Sequence, residues 1–160
     1  MRPWWSRFGG GLLLAAAWSM SAAQACEHPP QPKLRTTTLA IQGGDGRAHR
    51  FTVEMALTGE QQSCGLMLRQ RMGQDEGMIF VNDPPRPVAF WMKNTVLPLD
   101  MVFIGADGRI AQIAENTVPF STDTVESRHM IAVVLEVLAG TARRLGLRPG
   151  DRVTIDRPPG

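Results

Sequence analysis

The chain has 160 residues, 17 of them basic and 15 acidic, a formal net charge of +2, and a 43% hydrophobic fraction that excludes a disordered or low-complexity protein. At this length one domain is expected, large enough to bury a core. The basic excess resides in Arg2 and Arg7, so residues 26–160 balance 15 basic against 15 acidic side chains, and charge makes no case for binding nucleic acid or an acidic membrane surface.

The opening residues, MRPWWSRFGGGLLLAAAWSMSAAQAC, place two arginines before an apolar stretch from about Phe8 to Met20. That stretch is shorter than the ~20 residues of a membrane span. Ala23-Gln24-Ala25 reads as an A-x-A cleavage site, so residues 1–25 are expected to be a secretory signal peptide. A periplasmic or secreted protein with no stable membrane insertion follows. Ala23 stands three before Cys26, where a lipoprotein signal usually has Leu, which argues against a lipid anchor. Cys26 and Cys64 both lie beyond the signal, and an oxidising compartment would allow them to pair. The alternative is two unrelated thiols, with Cys64 buried on a helix.

Residues 26–33 form a Pro-rich extended lead (Pro29, Pro30, Pro32), and residues 34–157 read as a single domain. LRTTTLAI and HRFTVEMAL, joined by a Gly-rich turn, predict a hairpin with Phe51, Val53, Met55 and Leu57 on one face. Thr58, with Gln61 three residues later, opens a helical pattern through Cys64, Met67, Leu68 and Met72 that ends near Gly73. Three β runs follow: GMIFV, PVAFWM and LDMVFI. Asp107-Gly108 is the strongest hairpin signal in the chain and joins LDMVFI to RIAQIAE. Beyond a Thr- and Ser-rich loop (117–127), MIAVVLEVLA predicts a long buried strand, Thr141 to Leu145 a short helix, and RVTI the last strand. About eight strands and two short helices give an α+β, β-dominated class: a small, mostly antiparallel barrel or curled sheet.

Charges within apolar runs point to a site. FWMKNTVLPLDMVF carries Lys93 and Asp100, LEV carries Glu136, and GLMLRQR carries Arg69. A buried carboxylate must find a cation or hydrogen-bond donors, because leaving it unpaired costs several kcal/mol. Two bases and two acids of this kind predict one neutral polar cluster. Treated as a strand, the segment from Phe90 puts Trp91, Lys93 and Thr95 on one face and Phe90, Met92 and Asn94 on the other. The cluster could be an ionic lock fixing strand register, the polar floor of an apolar pocket walled by Trp91, or an acid–base site using Glu136 or Asp100.

Other chemistry is sparse. There is no G-x-S-x-G, Walker A, G-x-G-x-x-G after a strand or H-E-x-x-H, so no cofactor or resident metal is expected. The methionines sit in apolar runs without M-x-M spacing, which favours packing over copper binding. If cleavage falls after Ala25, the free amine, two amides and His28 of Cys26-Glu27-His28 could form a square-planar Cu(II) or Ni(II) site; the plainer account is an incidental histidine in a tail.

Gly65-Leu66-Met67 with Arg69, Asp75-Glu76-Gly77-Met78 with Phe80, Phe90-Trp91-Met92-Lys93-Asn94-Thr95, Pro98-Leu99-Asp100, Leu135-Glu136 and Gly150-Asp151 together resemble the domain of unknown function 192 family, over about Leu34 to Ile155. The resemblance implies a small β-rich barrel domain, often exported, with no agreed activity. The family pattern usually has a basic residue close before Gly-Leu-Met; here Gln61, Gln62, Ser63 and Cys64 precede it, which leaves room for a Cys64 disulfide.

Three functions remain open. The first is a binding module whose pocket uses Arg69, Trp91, Lys93, Asn94, Thr95, Asp100 and Glu136 to hold a small polar or anionic ligand or a peptide end. The second is an envelope-associated hydrolase or lyase using Glu136 or Asp100, and the third a structural or interaction protein in which the charges are only a lock. Oligomeric state is not legible in the sequence.

Overall fold

A computed structural model describes Cys26, residues 31–44 and residues 46–156. Residues 1–25, expected to be a signal peptide, and Glu27 to Pro30, with the metal site considered at His28, lie outside the described residues.

β1 (Thr36–Gln42) and β2 (Ala48–Ala56) pair as the antiparallel hairpin that the period of two predicts, with Leu39 opposite Phe51. Thr58 and Gln61 close a capping box at the start of α1 (Gly59–Cys64): the Gln61 N–H donates to Thr58 Oγ1, and the Thr58 N–H donates to Gln61 Oε1. The helix stops at Cys64 instead of running on to Met72. Gly65 turns to a φ of 46° while its N–H still donates to the Gln61 carbonyl, and Leu68 follows at 59°. A Cβ at residue 65 would stand 3.2 Å from the Phe80 ring, so both the turn and the close approach call for glycine.

β3 (Glu76–Arg86) then runs parallel to β2, the one parallel pairing in a sheet of order β6-β5-β8-β3-β2-β1-β9. β5 (Leu99–Gly105), β6 (Ile110–Ala114) and β8 (Ile131–Leu138) extend it on one side, and β9 (Arg152–Ile155) joins β1 on the other. The edges meet at one end, where the Val153 N–H donates to the Gly108 carbonyl and the Ile110 N–H to the Asp151 carbonyl. The result is a curled half-barrel. β4 (Ala89–Phe90) and β7 (Val125–Glu126) make a separate small sheet, and α2 (Thr141–Leu145) packs beside β5. β7, inside the Thr- and Ser-rich loop, raises the count from the expected eight strands to nine among the described residues.

PVAFWM is a strand only at Ala89 and Phe90. Beyond Phe90 the chain bonds to loops: the Met92 N–H donates to the Ser121 carbonyl, the Thr95 N–H to the Met92 carbonyl, and Asn94 has a φ of 54°. The face assignment made for Trp91 to Thr95 therefore does not hold. Met92 is buried, while Trp91 is 47% exposed.

Both faces of the central strands are covered. Leu39, Phe51, Val53, Ile79, Val102, Leu135 and Val137 pack inside the curl. Met78, Phe80, Leu99, Met101, Phe103 and Val134 pack on the outside beneath Leu66, Val88 and Met92. Along β3, along β5 and along β8 from Val133 to Val137, neighbouring apolar residues belong to opposite clusters, so the runs read as continuously apolar; Ile131, beyond the register shift in β8, lies in the outer cluster.

Candidate functional site

A cavity of about 460 Å³ opens on the outer face, between the α1 segment (Gly59 to Met67) and the segment from Arg86 to Thr95. Phe80, Asn82 and Glu136 from the sheet also line it, as does the Cys26–Cys64 disulfide, which ties the lead to the end of α1. The Leu68 N–H donates to the Asn94 carbonyl and the Phe120 N–H to the Thr95 carbonyl, knitting the surrounding loops together. Leu68, Asn94 and Phe120 all have positive φ, a conformation that costs a residue with a side chain about 1 kcal/mol or more.

Glu136 is the chemically unusual group. It is 5% exposed, and its row across the sheet is fixed by register: Met78 of β3 on one side and Met101 of β5 on the other. No hydrogen bond or ion pair reaches its carboxyl group among the described residues. Burial alone pushes its pKa from 4.5 up to about 8, so the group is mostly protonated at neutral pH and can donate as well as accept. Asn82, 6% exposed, lines the same cavity, and its Nδ2 is without a hydrogen-bond partner. Arg86 and Lys93 also line it, and neither forms an ion pair among the described residues. The Lys93 ammonium is 5.4 Å from the Trp91 ring centre, a cation–π approach that leaves its charge free for a ligand.

Five of the seven residues expected at the site, Trp91, Lys93, Asn94, Thr95 and Glu136, line this cavity. Arg69 and Asp100 do not, and the single four-charge cluster is not formed. Arg69 makes a two-pronged pair with Glu54, Nη1 to Oε1 at 2.6 Å and Nη2 to Oε2 at 3.1 Å. The second oxygen also accepts the Leu34 N–H. Burial raises the Glu54 pKa, but the Arg69 and Leu34 hydrogen bonds and nearby positive charge outweigh it and leave the group below 4.5. Asp100 is 0% exposed and points inside the curl. Its Oδ1 accepts the Asn116 N–H and its Oδ2 the Ala142 N–H, both at 2.8 Å. The N-cap of α2 is Gly140, which has no side chain, so Asp100 caps that helix from a neighbouring strand.

Asn82 and Arg86 were missed by the sequence reading. Asn82 left a signal, since it shares the parity of Met78 and Phe80 in GMIFVN and so lies on a buried face. Arg86 left none.

A family model described as DUF192, Uncharacterized ACR, matches residues 40–155. Among solved structures, a candidate transcription regulator from Sinorhizobium meliloti 1021 is 46% identical with a TM-score of 0.76, the match covering 78% of this chain and 97% of that one. A protein of unknown function from Novosphingobium aromaticivorans DSM 12444 is 40% identical with a TM-score of 0.74, covering 85% and 98%. No protein of curated function matches the chain.

Proposed function

The chain belongs to the DUF192 family, and from that premise we propose that it is an exported binding module whose outer-face pocket holds a small carboxylate-bearing ligand. One observation carries the reading. Among the described residues, two cations, Lys93 and Arg86, line a 460 Å³ cavity without an acidic partner, while the single carboxyl group lining it, that of Glu136, is held neutral by burial. Such a cavity is electropositive at neutral pH, its walls are apolar (Leu66, Phe80, Val88, Phe90), and its polar groups are few and placed. Export is supported by the signal-like N-terminus and by the disulfide, which persists in an oxidising compartment.

Native mass spectrometry of protein recovered from the exported fraction tests both parts. The expected result is a mature mass beginning at Cys26 and a bound small acid that is lost in Lys93→Met. A Lys93→Met protein that binds acids as the parent does, alongside lowered stability, would make the polar residues structural. A second reading, an envelope hydrolase or lyase, is favoured by one feature: a carboxyl group with a pKa near neutrality in a cleft is suited to proton transfer. In that reading Glu136 alone would serve, since Asp100 faces the other side of the sheet. The charge of this chain gives no support to a regulator role like the one in the Sinorhizobium protein's description, since residues 26–160 carry no excess positive charge.

A further inference from the structure

The cavity has two polar ends separated by an apolar middle. Along β8, Ile131 is opposite Arg86 of β3, Val134 is opposite Phe80, and Glu136 is opposite Met78. Asn82 and Met78 lie four residues apart on the same face of β3, so Asn82 and Glu136 stand roughly 13 Å apart along the strands. The segment from Arg86 to Lys93 travels the same way. It starts beside Ile131, and Phe90 then lies over the middle, its ring 5.0 Å from that of Phe80 and 6.3 Å from that of Phe103, both edge-on. Met92 ends beside Thr117, whose hydroxyl reaches Met92 Sδ and the Leu99 carbonyl, and Leu99 is opposite Leu138. Arg86 with Asn82 therefore mark one end, and Lys93 with Glu136 the other. Each end pairs a cation at the wall with a buried polar group, Asn82 Nδ2 or the Glu136 carboxyl, that has no hydrogen-bond partner among the described residues.

We infer that the pocket takes a linear two-headed anion, with one carboxylate directed to Lys93 and Glu136, the other to Arg86 and Asn82, and an apolar chain across Phe80 and Phe90. The inference rests on the proposal that the pocket is a binding site, and it goes further by fixing the class of ligand. A protonated Glu136 donates its O–H to the first carboxylate, and Lys93 supplies the charge. The Asn82 amide N–H and the Arg86 guanidinium do the same at the second. A ligand with one head leaves the far pair unused, and a short diacid cannot span both.

The test is isothermal titration calorimetry of the disulfide-intact protein with the straight-chain diacids from malonate to dodecanedioate, each against the monoacid of equal length. The expected result is an affinity maximum within the longer diacids, about tenfold or more over the matched monoacid, the contribution of one further charge-assisted hydrogen bond. Arg86→Met, a change at an exposed side chain, is expected to bring the best diacid down to its monoacid. Equal affinity for diacids and monoacids at every length would overturn the two-headed inference and leave the pocket proposal standing. Absence of binding by any acid, with the protein folded, would overturn both.

Discussion

Glu136 and Asp100 lie on adjacent antiparallel strands one position out of step: Glu136 is opposite Met101, Asp100 is opposite Val137, and their carboxyl groups point to opposite sides of the sheet. One residue of register separates a pocket group from a helix cap. The two acids share an apolar setting but not a role. Asp100 is held by two backbone amides, whereas Glu136 is held by none.

Glu136 makes stability depend on pH. Below 4.5 it is protonated in both folded and unfolded chains; between 4.5 and about 8 the unfolded chain releases the proton while the folded chain keeps it. Folding stability therefore falls as pH rises across that window, by a few kcal/mol in all. Urea unfolding as a function of pH should show this decline in the parent and a nearly flat line in Glu136→Gln. Equal slopes in the two proteins would mean that the carboxyl group is solvated.

The Glu54–Arg69 pair acts on the acid side. Its lowered pKa gives a contribution present above 4.5 and lost as pH falls through the folded value. Replacing Arg69 by Met leaves Glu54 mostly shielded from water with only the Leu34 N–H. A loss of about 2 kcal/mol is expected by chemical denaturation, between the values for exposed and fully buried pairs.

Asp100→Ala strips acceptors from the amides of Asn116 and Ala142 together. The expected cost is roughly 2–4 kcal/mol, at 1–3 kcal/mol per buried group left unsatisfied, with some relief through water. Hydrogen exchange should quicken at these two amides and through α2 before it does in β1 and β2. Uniform quickening would show that Asp100 supports the whole sheet and not the helix start.

Reduction of Cys26–Cys64, 38 residues apart in sequence, should lower stability by about 4 kcal/mol if chain entropy governs the effect. Because the bridge lines the pocket, binding of the proposed ligand should weaken as well. Cys26→Ser with Cys64→Ser, compared with reduced parent protein by thermal unfolding, checks both. Unchanged affinity in the double variant would leave the disulfide with a role in stability alone.

What the sequence made legible was local. The β1–β2 hairpin, the Thr58–Gln61 capping box, the turn at Asp107-Gly108, α2 and β9 each depend on residues a few positions apart, and each is found where patterning puts it. Glu54 was hidden because it alternates out of phase with Phe51, Val53 and Met55, as a solvent-facing residue does. The parallel β2–β3 crossover then brings the Arg69 segment over that face, a long-range event with no local signature. Asp100 was visible as an oddity, yet its partners are main-chain amides 16 and 42 residues away, and an amide leaves no mark in a sequence. The segment from Trp91 to Thr95 misled for a related reason: its apolar residues resemble a strand, but its backbone hydrogen bonds go to other loops or close a turn within the segment.

The two-sided covering of the sheet divides the tolerance to mutation by parity. Along β8, Leu135 and Val137 answer to the interior of the curl, while Val134 and Glu136 answer to the pocket side. A saturation scan scored once for abundance and once for binding at the proposed pocket should alternate residue by residue from Val133 to Val137. Abundance would set the limit at one parity and, if the proposed pocket binds, recognition at the other, so that the pocket face is free to change while the curl beneath it is held.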